Sequence, residues 1–374
     1  MKVSVTTLLA VALVALSSGA MGGAWHIQSV DSAGSVGSST SIALDSSGRP
    51  RISYHGNGNL KYAAYDGSAW QIQTVDSAGE VGWHTSLALA DSGHPYISYF
   101  DETNGDLKYT TYDGSAWQTE TVDSAGRVGY QSSLALDGSG RPHISYYDYA
   151  NGDLKYAAYD GSAWQTETVD SAGEVGRWSS LALDQLARPH ISYCHFGADD
   201  LKYAAYDGSA WQVETVDSAG RVGASSSLAL DGSGRPHISY LDYSSWYGDL
   251  KYAFWDGSAW EIGTPVSSGD VGEYISLALD ASGLPRISFY DDGNDGLAYG
   301  AYNGSAWQIE TVDSAGDVGR WTCLALDGSG RPHISYCDSG NRDLKYAYIP
   351  EPATLSLLAA GLVAVWMRKR RATG

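Results

Sequence analysis

Methionine and phenylalanine are scarce in this sequence. The 374 residues include 3 Met and 4 Phe, against 45 Gly, 27 Tyr and 13 Trp. Tyrosine and tryptophan favour strands, and glycine favours turns. The composition is therefore unsuited to long helices and predicts short strands, tight turns and aromatic rings packed between sheets.

Basic residues are also in short supply, with 23 Lys and Arg against 43 Asp and Glu and a formal net charge of −20. Four basic residues form one cluster at 368–371, so the rest of the chain is still more acidic than the total suggests. A surface of that charge repels nucleic acid phosphates and anionic lipid headgroups. We therefore expect no nucleic acid partner, and we interpret the charge as favouring solubility outside the cell.

Motifs for catalysis and metal binding are missing as well. The sequence has no HExxH spacing, no CxxC pair and no nucleophile elbow. These motifs bring together the ligands of zinc hydrolases, the thiols of redox enzymes and the nucleophile of α/β-hydrolases. The sequence predicts no cofactor, with calcium as the one metal left open below.

The first 20 residues read as a secretory signal peptide. Lys2 supplies a positive start, residues 7–16 form an apolar run, and Ser18, Gly19 and Ala20 offer small residues for a peptidase. This order is typical of signal peptides, which are removed from the mature protein. We expect cleavage after Ala20.

The other end begins with Pro350, Glu351 and Pro352, continues through an apolar stretch at 355–367 and closes on the basic cluster at 368–371. The apolar stretch is short for a spanning helix, which needs about 20 residues. Flanking Arg and Lys side chains can extend its reach to the membrane interface. We predict a short C-terminal transmembrane helix.

The order Pro-Glu-Pro, apolar helix and basic cluster at 350–374 resembles the PEP-CTERM sorting tail of bacterial surface proteins. The resemblance implies export, processing by an exosortase-type transpeptidase near Pro350–Pro352, and delivery to the envelope or an extracellular polymer matrix. It also implies that the tail holds the chain in the membrane at least transiently. A plain C-terminal anchor is the alternative, and it predicts nearly the same location.

Between the two ends, one phrase close to DGSAWQTETVDSAG recurs at intervals of 45 to 49 residues. Its tryptophan appears seven times, as Trp25, Trp70, Trp117, Trp164, Trp211, Trp260 and Trp307. Each unit holds four runs with strand chemistry, which we call a, b, c and d. In the third unit they read SLALD, PHISYYD, DLKYAAYDG and AWQTETVD. Four antiparallel strands in a repeat of this length describe one blade of a β-propeller.

The repeats predict an all-β, seven-bladed propeller at residues 24–349. Strand a is expected to begin at Ser41, Ser86, Ser133, Ser180, Ser227, Ser276 and Cys323. The region opens with a lone d strand from Ala24 and ends with strands a, b and c of the last copy. Together they make the seventh blade, so we expect the two ends to pair and close the ring without an open sheet edge.

The turn between strands c and d carries a second resemblance. In the third unit it runs from Tyr159 through Asp160 and Gly161 to Trp164, and it is similar to the Asp-box turn of sialidase-type propellers. Asp and Trp lie four residues apart here and five apart in that family. The resemblance implies the fold and a structural turn: the Asp side chain caps turn amides, and the Trp ring packs between blades.

Topology sorts the loops onto two faces. The a–b and c–d turns share one face and hardly vary among copies, whereas the b–c and d–a connections share the other and differ. Loops on a rigid scaffold are where binding usually resides. At the d–a connection the candidate ligand-binding residues are Trp83, His84, Tyr130, Arg177, Trp178, Glu273, Tyr274, Arg320 and Trp321. Aromatic rings among charged groups suit saccharides, although the same rings could simply wedge neighbouring blades.

Acidic b–c loops are weak candidates for calcium, with Asp101, Asn104 and Asp106 as possible oxygen ligands. Their spacing fits no EF-hand loop, and Asx turns would explain the same residues. The recurrent histidines of strand b, among them His143, are expected to be packing residues.

Three cysteines occur in strands a and b. A register that pairs Leu324 with Tyr336 sets Cys323 opposite Cys337, so we predict a cross-strand disulfide there in an oxidising compartment. Cys194 has the strand position of Cys337 and is expected to face Ser180 as a free buried thiol.

Three functions fit these features. The first is a non-enzymatic surface or matrix protein that recognises glycans or another envelope component through the variable face. The second is a scaffold that engages proteins through that face. The third is a sialidase-like glycoside hydrolase, which would need three converging arginines and a carboxylate pair. Only Arg177 and Arg320 are expected on the right face, with Glu273 as one carboxylate.

Overall fold

A computed structural model describes residues 23–244, 248–267 and 269–351. The described residues form 28 β-strands in seven antiparallel sheets of four strands each. The predicted signal peptide, Pro352 and the apolar stretch at 355–367 lie outside the described residues. None of the described segments forms a helix long and apolar enough to cross a membrane.

The sheets are the blades of the predicted propeller, numbered 1 to 7 by the order of their a strands. Strand a is β2 (Val36–Leu44), β6 (Val81–Leu89), β10 (Val128–Leu136), β14 (Val175–Leu183), β18 (Val222–Leu230), β22 (Val271–Leu279) or β26 (Val318–Leu326). Strand b is β3 (Pro50–Gly56), β7 (Pro95–Asp101), β11 (Pro142–Asp148), β15 (Pro189–His195), β19 (Pro236–Asp242), β23 (Pro285–Asp291) or β27 (Pro332–Asp338). Strand c is β4 (Asn59–Tyr65), β8 (Asp106–Tyr112), β12 (Asp153–Tyr159), β16 (Asp200–Tyr206), β20 (Asp249–Trp255), β24 (Gly296–Tyr302) or β28 (Asp343–Tyr348). Strand d is β5 (Trp70–Asp76), β9 (Trp117–Asp123), β13 (Trp164–Asp170), β17 (Trp211–Asp217), β21 (Trp260–Val266), β25 (Trp307–Asp313) or β1 (His26–Asp31).

Blade 7 closes the ring as the sequence predicts. Its sheet has the order β1-β28-β27-β26, and β1 pairs antiparallel with β28, with His26 opposite Tyr348. Neighbouring a strands contact one another around the ring, including β26 with β2. The first and last strands of the propeller therefore share one sheet.

The c–d turn works as the sequence predicts. Asp160 Oδ1 accepts hydrogen bonds from the backbone N–H of Ser162 at 2.8 Å and of Ala163 at 2.9 Å. The ring of Trp164 packs edge-on against Tyr109 of the preceding blade, with ring centroids 5.1 Å apart. The recurrent histidines are packing residues too, since His143 Nδ1 bonds the hydroxyl of Tyr156 on the neighbouring strand.

Buried charge links most neighbouring blades. Asp170 at the end of one blade accepts hydrogen bonds from Lys202 Nζ at 2.5 Å and from the hydroxyl of Tyr193 at 2.7 Å, both on the next blade. The Asp and Lys side chains are only 7% and 12% exposed. We call this arrangement the ionic triad. Among the described residues it recurs at six blade interfaces, with Asp31, Asp76, Asp123, Asp170, Asp217 and Asp313.

The interface between blades 5 and 6 departs from this pattern. Val266, Phe289 and Ala298 occupy the positions of the Asp, Tyr and Lys, so all three members are apolar. Phe289 is 1% and Ala298 is 4% exposed, within a cluster that also contains Leu241 and Tyr252. Apolar packing therefore replaces the ionic triad at this one interface of the described chain.

Strand a begins five residues earlier than predicted, for example at Val318 rather than Cys323. Between Val318 and Cys323 the register with strand b shifts at two bulges. The residues assigned to a d–a loop are therefore the first half of strand a.

The same bulges make the predicted disulfide wrong. Cys323 lies opposite Ser335, Cys337 lies opposite Arg320, and both thiols are free. Cys194 is free and buried as predicted, but it lies opposite Arg177 rather than Ser180. The sequence register assumed an unbroken ladder, and each bulge inserts residues on strand a alone.

Cys323 has another contact at the point of ring closure. Around the ring, a serine hydroxyl of one a strand accepts a hydrogen bond from a backbone N–H of the next a strand. An example is the bond from the N–H of Leu87 to Ser41 Oγ at 3.0 Å. Between blades 7 and 1 the acceptor is Cys323 Sγ, 3.5 Å from the N atom of Ile42. The cysteine therefore takes the place of the serine in this ring of contacts.

Candidate functional site

The variable residues of strand a sit on a strained stretch of backbone. In each a strand one non-glycine residue has φ between 50° and 52°: Ser39, His84, Gln131, Trp178, Ser225, Tyr274 and Trp321. Such values are uncommon for bulky residues and persist only where the surroundings fix them. The bulge therefore presents one exceptional side chain per blade at the same level of the ring.

A glycine two residues earlier explains how the strand reaches that position. Gly82 has φ of 95°, and a Cβ added there would lie 2.6 Å from the Cα of Leu60 in the preceding blade. Because only glycine allows this approach, the strand can enter close to its neighbour before it bulges. The N–H of Val81 also bonds the carbonyl of Gly58 at 3.1 Å, which places the b–c turns beside the strand entrances.

All nine candidate residues are half-buried. Together with the b–c turns they form what we call the channel mouth, the end of the ring where the a strands enter. The structure brings them together in small groups of adjacent blades.

Trp83 belongs to the first group. Its ring stacks on His55 of blade 1 with centroids 3.9 Å apart and an interplanar angle of 21°. Glu80 Oε1 accepts the indole N–H at 3.2 Å and lies 3.0 Å from His55 Nε2. Burial lowers the pKa of His55 from its usual value, against the effect of Glu80. The stack therefore has a carboxylate at its edge.

His84 and Tyr130 meet across blades 2 and 3, with ring centroids 5.4 Å apart. Removal from solvent, with a smaller effect of His55, lowers the pKa of His84 to about 4, so the ring is neutral at pH 7. Arg127 Nε donates to the Tyr130 hydroxyl at 2.7 Å, and its guanidinium also binds Glu102. The exposed ring of Tyr149 lies 5.3 Å from Tyr130.

Arg177 and Trp178 form a third group on blade 4. The Arg177 guanidinium lies 3.9 Å from the ring centroid of Phe196 and 5.5 Å from that of Tyr147. The backbone N–H of Trp178 donates to Gln131 Oε1 of blade 3 at 2.8 Å. The cation is thus held against aromatic rings, while its Nε is buried without a hydrogen-bond partner in the described chain.

Tyr274 and Trp321 pack together across blades 6 and 7 at 5.2 Å. Arg320 Nε donates to Asp317 Oδ1 at 3.1 Å, and the guanidinium lies 4.6 Å from the ring centroid of Tyr290. Burial alone would lower the pKa of Arg320, but Asp317 and Tyr290 outweigh it and raise the pKa. This group therefore combines two half-buried rings with a fixed cation.

Glu273 borders the last of these groups, because the pKa of Tyr274 is raised by burial and then by the charge of Glu273. Its Oε1 accepts the hydroxyl of Tyr243 at 2.9 Å. Burial and this carboxylate raise the pKa of Tyr243, so its proton stays in place. Arg177 and Arg320 belong to blades 4 and 7 and are engaged with partners of their own, so the structure does not join these three residues into one site.

Residues that the sequence did not single out complete the channel mouth. Arg127, Tyr149, Phe196, Tyr243 and Tyr290 lie in or beside the b–c and d–a connections and contact the predicted residues. The variation of these connections among copies was the available signal. The pairing across neighbouring blades was not visible, because it joins residues far apart in sequence, such as Tyr243 and Glu273 at 30 positions and Gln131 and Trp178 at 47 positions.

Asp101, the first calcium candidate, is fully buried and caps its own turn. Its Oδ1 accepts the backbone N–H of Asn104 at 3.0 Å, and its Oδ2 accepts the Asn104 side-chain amide at 2.9 Å. Asp106 is half-buried, and burial together with Asp101 raises its pKa. Calcium binding by Asp101, Asn104 and Asp106 stays a prediction. No cluster of three His, Cys, Asp or Glu able to hold a metal occurs in the described residues.

Comparisons with known structures agree with the fold. The chain resembles a catalytically inactive variant of virginiamycin B lyase from Staphylococcus aureus with quinupristin, at a TM-score of 0.59 and 9% identity over 87% of this chain and 100% of that one. It resembles the SapL1 lectin in complex with α-methyl fucoside, at a TM-score of 0.51 and 16% identity over 74% of this chain and 97% of the lectin. It also resembles a PL25 ulvan lyase bound to a GlcA-Rha3S saccharide, at a TM-score of 0.57 and 13% identity over 81% of this chain and 90% of the lyase. At these identities the likeness concerns the fold alone.

Sequence comparison identifies the C-terminal segment. The PEP-CTERM protein-sorting motif matches residues 349–371, whereas the comparison with curated proteins gave no match. The predicted sorting tail is thereby confirmed. The chain is a seven-bladed β-propeller with a PEP-CTERM sorting motif, which indicates export with C-terminal membrane anchoring and implies recognition by an exosortase.

Proposed function

We propose that this propeller is a non-enzymatic protein of the outer surface or the extracellular matrix, and that it recognises glycans through the channel mouth. The observation that carries the proposal is the series of half-buried aromatic rings held by a recurrent strained bulge, each beside a charged or amide group. Backbone strain of this kind is usually retained at positions that bind or react.

The chemistry of the groups fits sugars. An aromatic ring covers the apolar CH face of a pyranose, while fixed carboxylate and guanidinium groups bond its hydroxyls. Trp83 has Glu80 at its edge, and Arg177 lies against Phe196, which also packs on Trp178. Since the groups repeat around a ring, a polysaccharide with many similar units could contact several blades at once. Such multiple contacts raise avidity without any one tight site.

The resemblance to a lectin and to a polysaccharide lyase supports a fold that can hold sugars. Because one of these proteins is a lyase, cleavage of a polysaccharide by hydrolysis or elimination is the first alternative to binding alone. A protein partner at the same face is the second alternative. We favour glycans because the open groups are flat rings with polar edges rather than one contiguous apolar patch.

The test is a panel of glycans and extracellular polysaccharides with the full chain, in the presence and absence of calcium. The variant Trp178→Ala, Trp321→Ala removes two rings from the channel mouth. We expect it to bind at least about tenfold more weakly, because each stacked ring contributes roughly 1 kcal/mol or more.

The matched control is Leu186→Ala. Leu186 is an apolar residue 73% exposed on the face of the a–b turns, so its loss should leave glycan binding unchanged. Absence of saturable binding to every member of the panel would overturn the proposal. Release of product from a bound polysaccharide would indicate that the protein is an enzyme instead. A calcium requirement would support Asp101, Asn104 and Asp106 as calcium ligands.

A further inference from the structure

A second candidate site lies at the opposite end of the molecule. A cleft of about 350 Å³ opens between blades 5 and 6, lined among others by Tyr252, Phe254 and Glu261 of blade 5 and by Leu284 and Trp307 of blade 6. Leu284 stands in an a–b turn and Trp307 begins strand d, so the cleft is on the face of the invariant turns. It shares no residue with the channel mouth.

Two departures from the repeat open this cleft. At five other interfaces the d-strand tryptophan donates its indole N–H to a Glu or Gln of the preceding blade, as Trp260 does to Glu214 at 3.0 Å. The corresponding residue beside Trp307 is Gly263. Leu284 takes the turn position that is Arg235 in blade 5. Two long polar side chains are thus missing from one place.

The interface between blades 7 and 1 offers an internal comparison. It has a cleft at the same location, lined by Tyr348 where the larger cleft has Phe254. That cleft measures only about 140 Å³, and it is lined by Gln28 and Arg49 at the positions of Gly263 and Leu284. The two smaller residues therefore account for the extra space between blades 5 and 6.

The walls of the larger cleft are rigid and aromatic. Trp307 packs edge-on against Tyr252 with ring centroids 5.5 Å apart. Phe254 is stacked with Tyr252 at 6.1 Å and with His237 at 5.8 Å. The Tyr252 hydroxyl is bonded to His237 Nδ1, which locks the stack. A ligand would therefore meet a preformed apolar surface, as in most small-molecule sites.

Its polar groups are one donor and one acceptor. Trp307 Nε1 has no hydrogen-bond partner in the part of the chain that the structure describes, in contrast to Trp260. Glu261 is exposed at the rim, and the described residues give its carboxylate no partner either. None of the residues lining the cleft, all of them described, is Lys or Arg. The cleft therefore suits an uncharged ligand with hydroxyl groups and an apolar face.

We propose that the cleft between blades 5 and 6 binds one neutral sugar unit, whose CH face packs on the aromatic wall while its hydroxyls bond Glu261 and Trp307. An acidic sugar is disfavoured by Glu261 and by the net charge of −20. The volume is within the range of small-ligand pockets, at about 300 Å³ or more. This proposal is independent of the channel mouth, and both together would let one propeller join two saccharide chains.

The variant Gly263→Glu tests it by restoring the residue found in most other blades. A Cβ added at Gly263 meets no atom within 4 Å, so the fold should accept a side chain there. Its carboxylate is expected to bond Trp307 and fill the cleft. Gly328→Glu is the matched control, because it adds the same charge in an a–b turn where the added Cβ also meets nothing within 4 Å.

The probes are the methyl glycosides of fucose, galactose, mannose and glucose, with methyl glucuronide as the acidic comparison, measured by ligand-observed NMR on the full chain. We expect at least one neutral glycoside to bind the wild type and Gly328→Glu, and to bind Gly263→Glu at least about tenfold more weakly. Equal binding by both variants, or no binding of any neutral glycoside to the wild type, would overturn the proposal.

The two proposals fail separately. Binding lost in Gly263→Glu and kept in Trp178→Ala, Trp321→Ala supports the cleft even if the channel mouth binds no sugar. The reverse result supports the channel mouth and rejects the cleft. An apolar peptide that competes with the glycoside for the cleft, with tighter binding than any sugar, would assign the cleft to a protein partner instead.

Discussion

The interface between blades 5 and 6 differs from the other blade interfaces in three layers. Val266, Phe289 and Ala298 replace the ionic triad in the interior. Closer to the channel, Ile275 replaces a Ser or Thr, and the buried hydroxyl of Ser239 has no partner in the described chain. At the outer edge Gly263 replaces a Glu or Gln, and the sugar-sized cleft opens there.

The comparison indicates that the three residues of an ionic triad can be replaced together by apolar residues. Removing two charges from water costs about as much as their attraction returns, so a buried pair and well-packed apolar residues are close in free energy. One partner without the other is costly, which explains why all three positions differ together. Six triads and one apolar substitute therefore hold the interfaces of the described chain, and the interface that changed carries the larger of the two clefts described above.

Acid is expected to lower the stability of the propeller more than any single substitution, because it protonates the triad carboxylates of six interfaces together. Burial alone would raise the pKa of Asp170, but Lys202, Tyr193 and a backbone N–H outweigh it, so its pKa is lowered from 3.8. The pKa values of the five other triad Asp residues are lowered as well. Since these values are lower in the folded chain, the carboxylates stabilise it above about pH 4 and cease to do so as the pH falls through the folded values.

We therefore expect the urea midpoint of unfolding to fall steeply below about pH 4. Buried histidines such as His190, whose pKa burial lowers from 6.5, add a shallower decline that begins below about pH 6.5. A midpoint unchanged between about pH 7 and about pH 3 would show that the triads do not hold the ring.

Breaking one triad is the next largest effect. Asp170→Ala leaves Lys202 buried without its carboxylate, and we expect a loss of about 3–5 kcal/mol in the free energy of unfolding. The matched change between blades 5 and 6 is Val266→Ala, which removes only apolar contacts and should cost about 2 kcal/mol. Urea unfolding measures both, and equal losses would contradict the distinction between the interfaces.

Exchanging a whole triad should cost far less. The triple variant Asp170→Val, Tyr193→Phe, Lys202→Ala gives this interface the residues found between blades 5 and 6. We expect it to lie within about 2 kcal/mol of the wild type, and to show a smaller loss of stability in acid because one carboxylate is gone. A loss equal to the sum of the three single variants would show that the residues act independently.

The smallest effect concerns the hydroxyl layer. Ser239→Ala removes a buried hydroxyl that bonds nothing in the described chain, so the free energy of unfolding should rise by about 1 kcal/mol. Ser192→Ala, one blade earlier, removes a hydroxyl that bonds Ser226 at 3.0 Å and should lower it by about 1 kcal/mol. Calorimetry on both variants checks the signs, and a shared sign would contradict the assignment.

The sequence predicted the ring, its seven blades and its closure because one repeat, copied with little change, fixes strand order and length. It failed at the bulges of strand a. An unbroken ladder sets Cys323 opposite Cys337, whereas the observed register sets it opposite Ser335. Bulges depend on the close approach of Gly319 to the backbone of Leu297 in the preceding blade, and this contact is not visible in one repeat.

Only part of the candidate site could be predicted from the sequence, for the same reason. Differences among copies pointed to Trp83, Trp178 and Trp321 near the start of strand a. Their partners, such as Phe196 and Gln131, lie on other strands or blades, so no spacing predicts them. The joint change of Asp, Tyr and Lys to Val266, Phe289 and Ala298 was visible among the copies, but its meaning needed the contact between blades.

Hydrogen exchange with and without the strongest-binding glycan of the panel tests the central claim most directly, that the strained half of strand a is a binding surface. The account predicts slower exchange in the segments 81–86, 128–133, 175–180, 271–276 and 318–323, with the c–d turns at 160–163 and 207–210 unchanged. Protection confined to those turns, or no protection at saturating glycan, would contradict it.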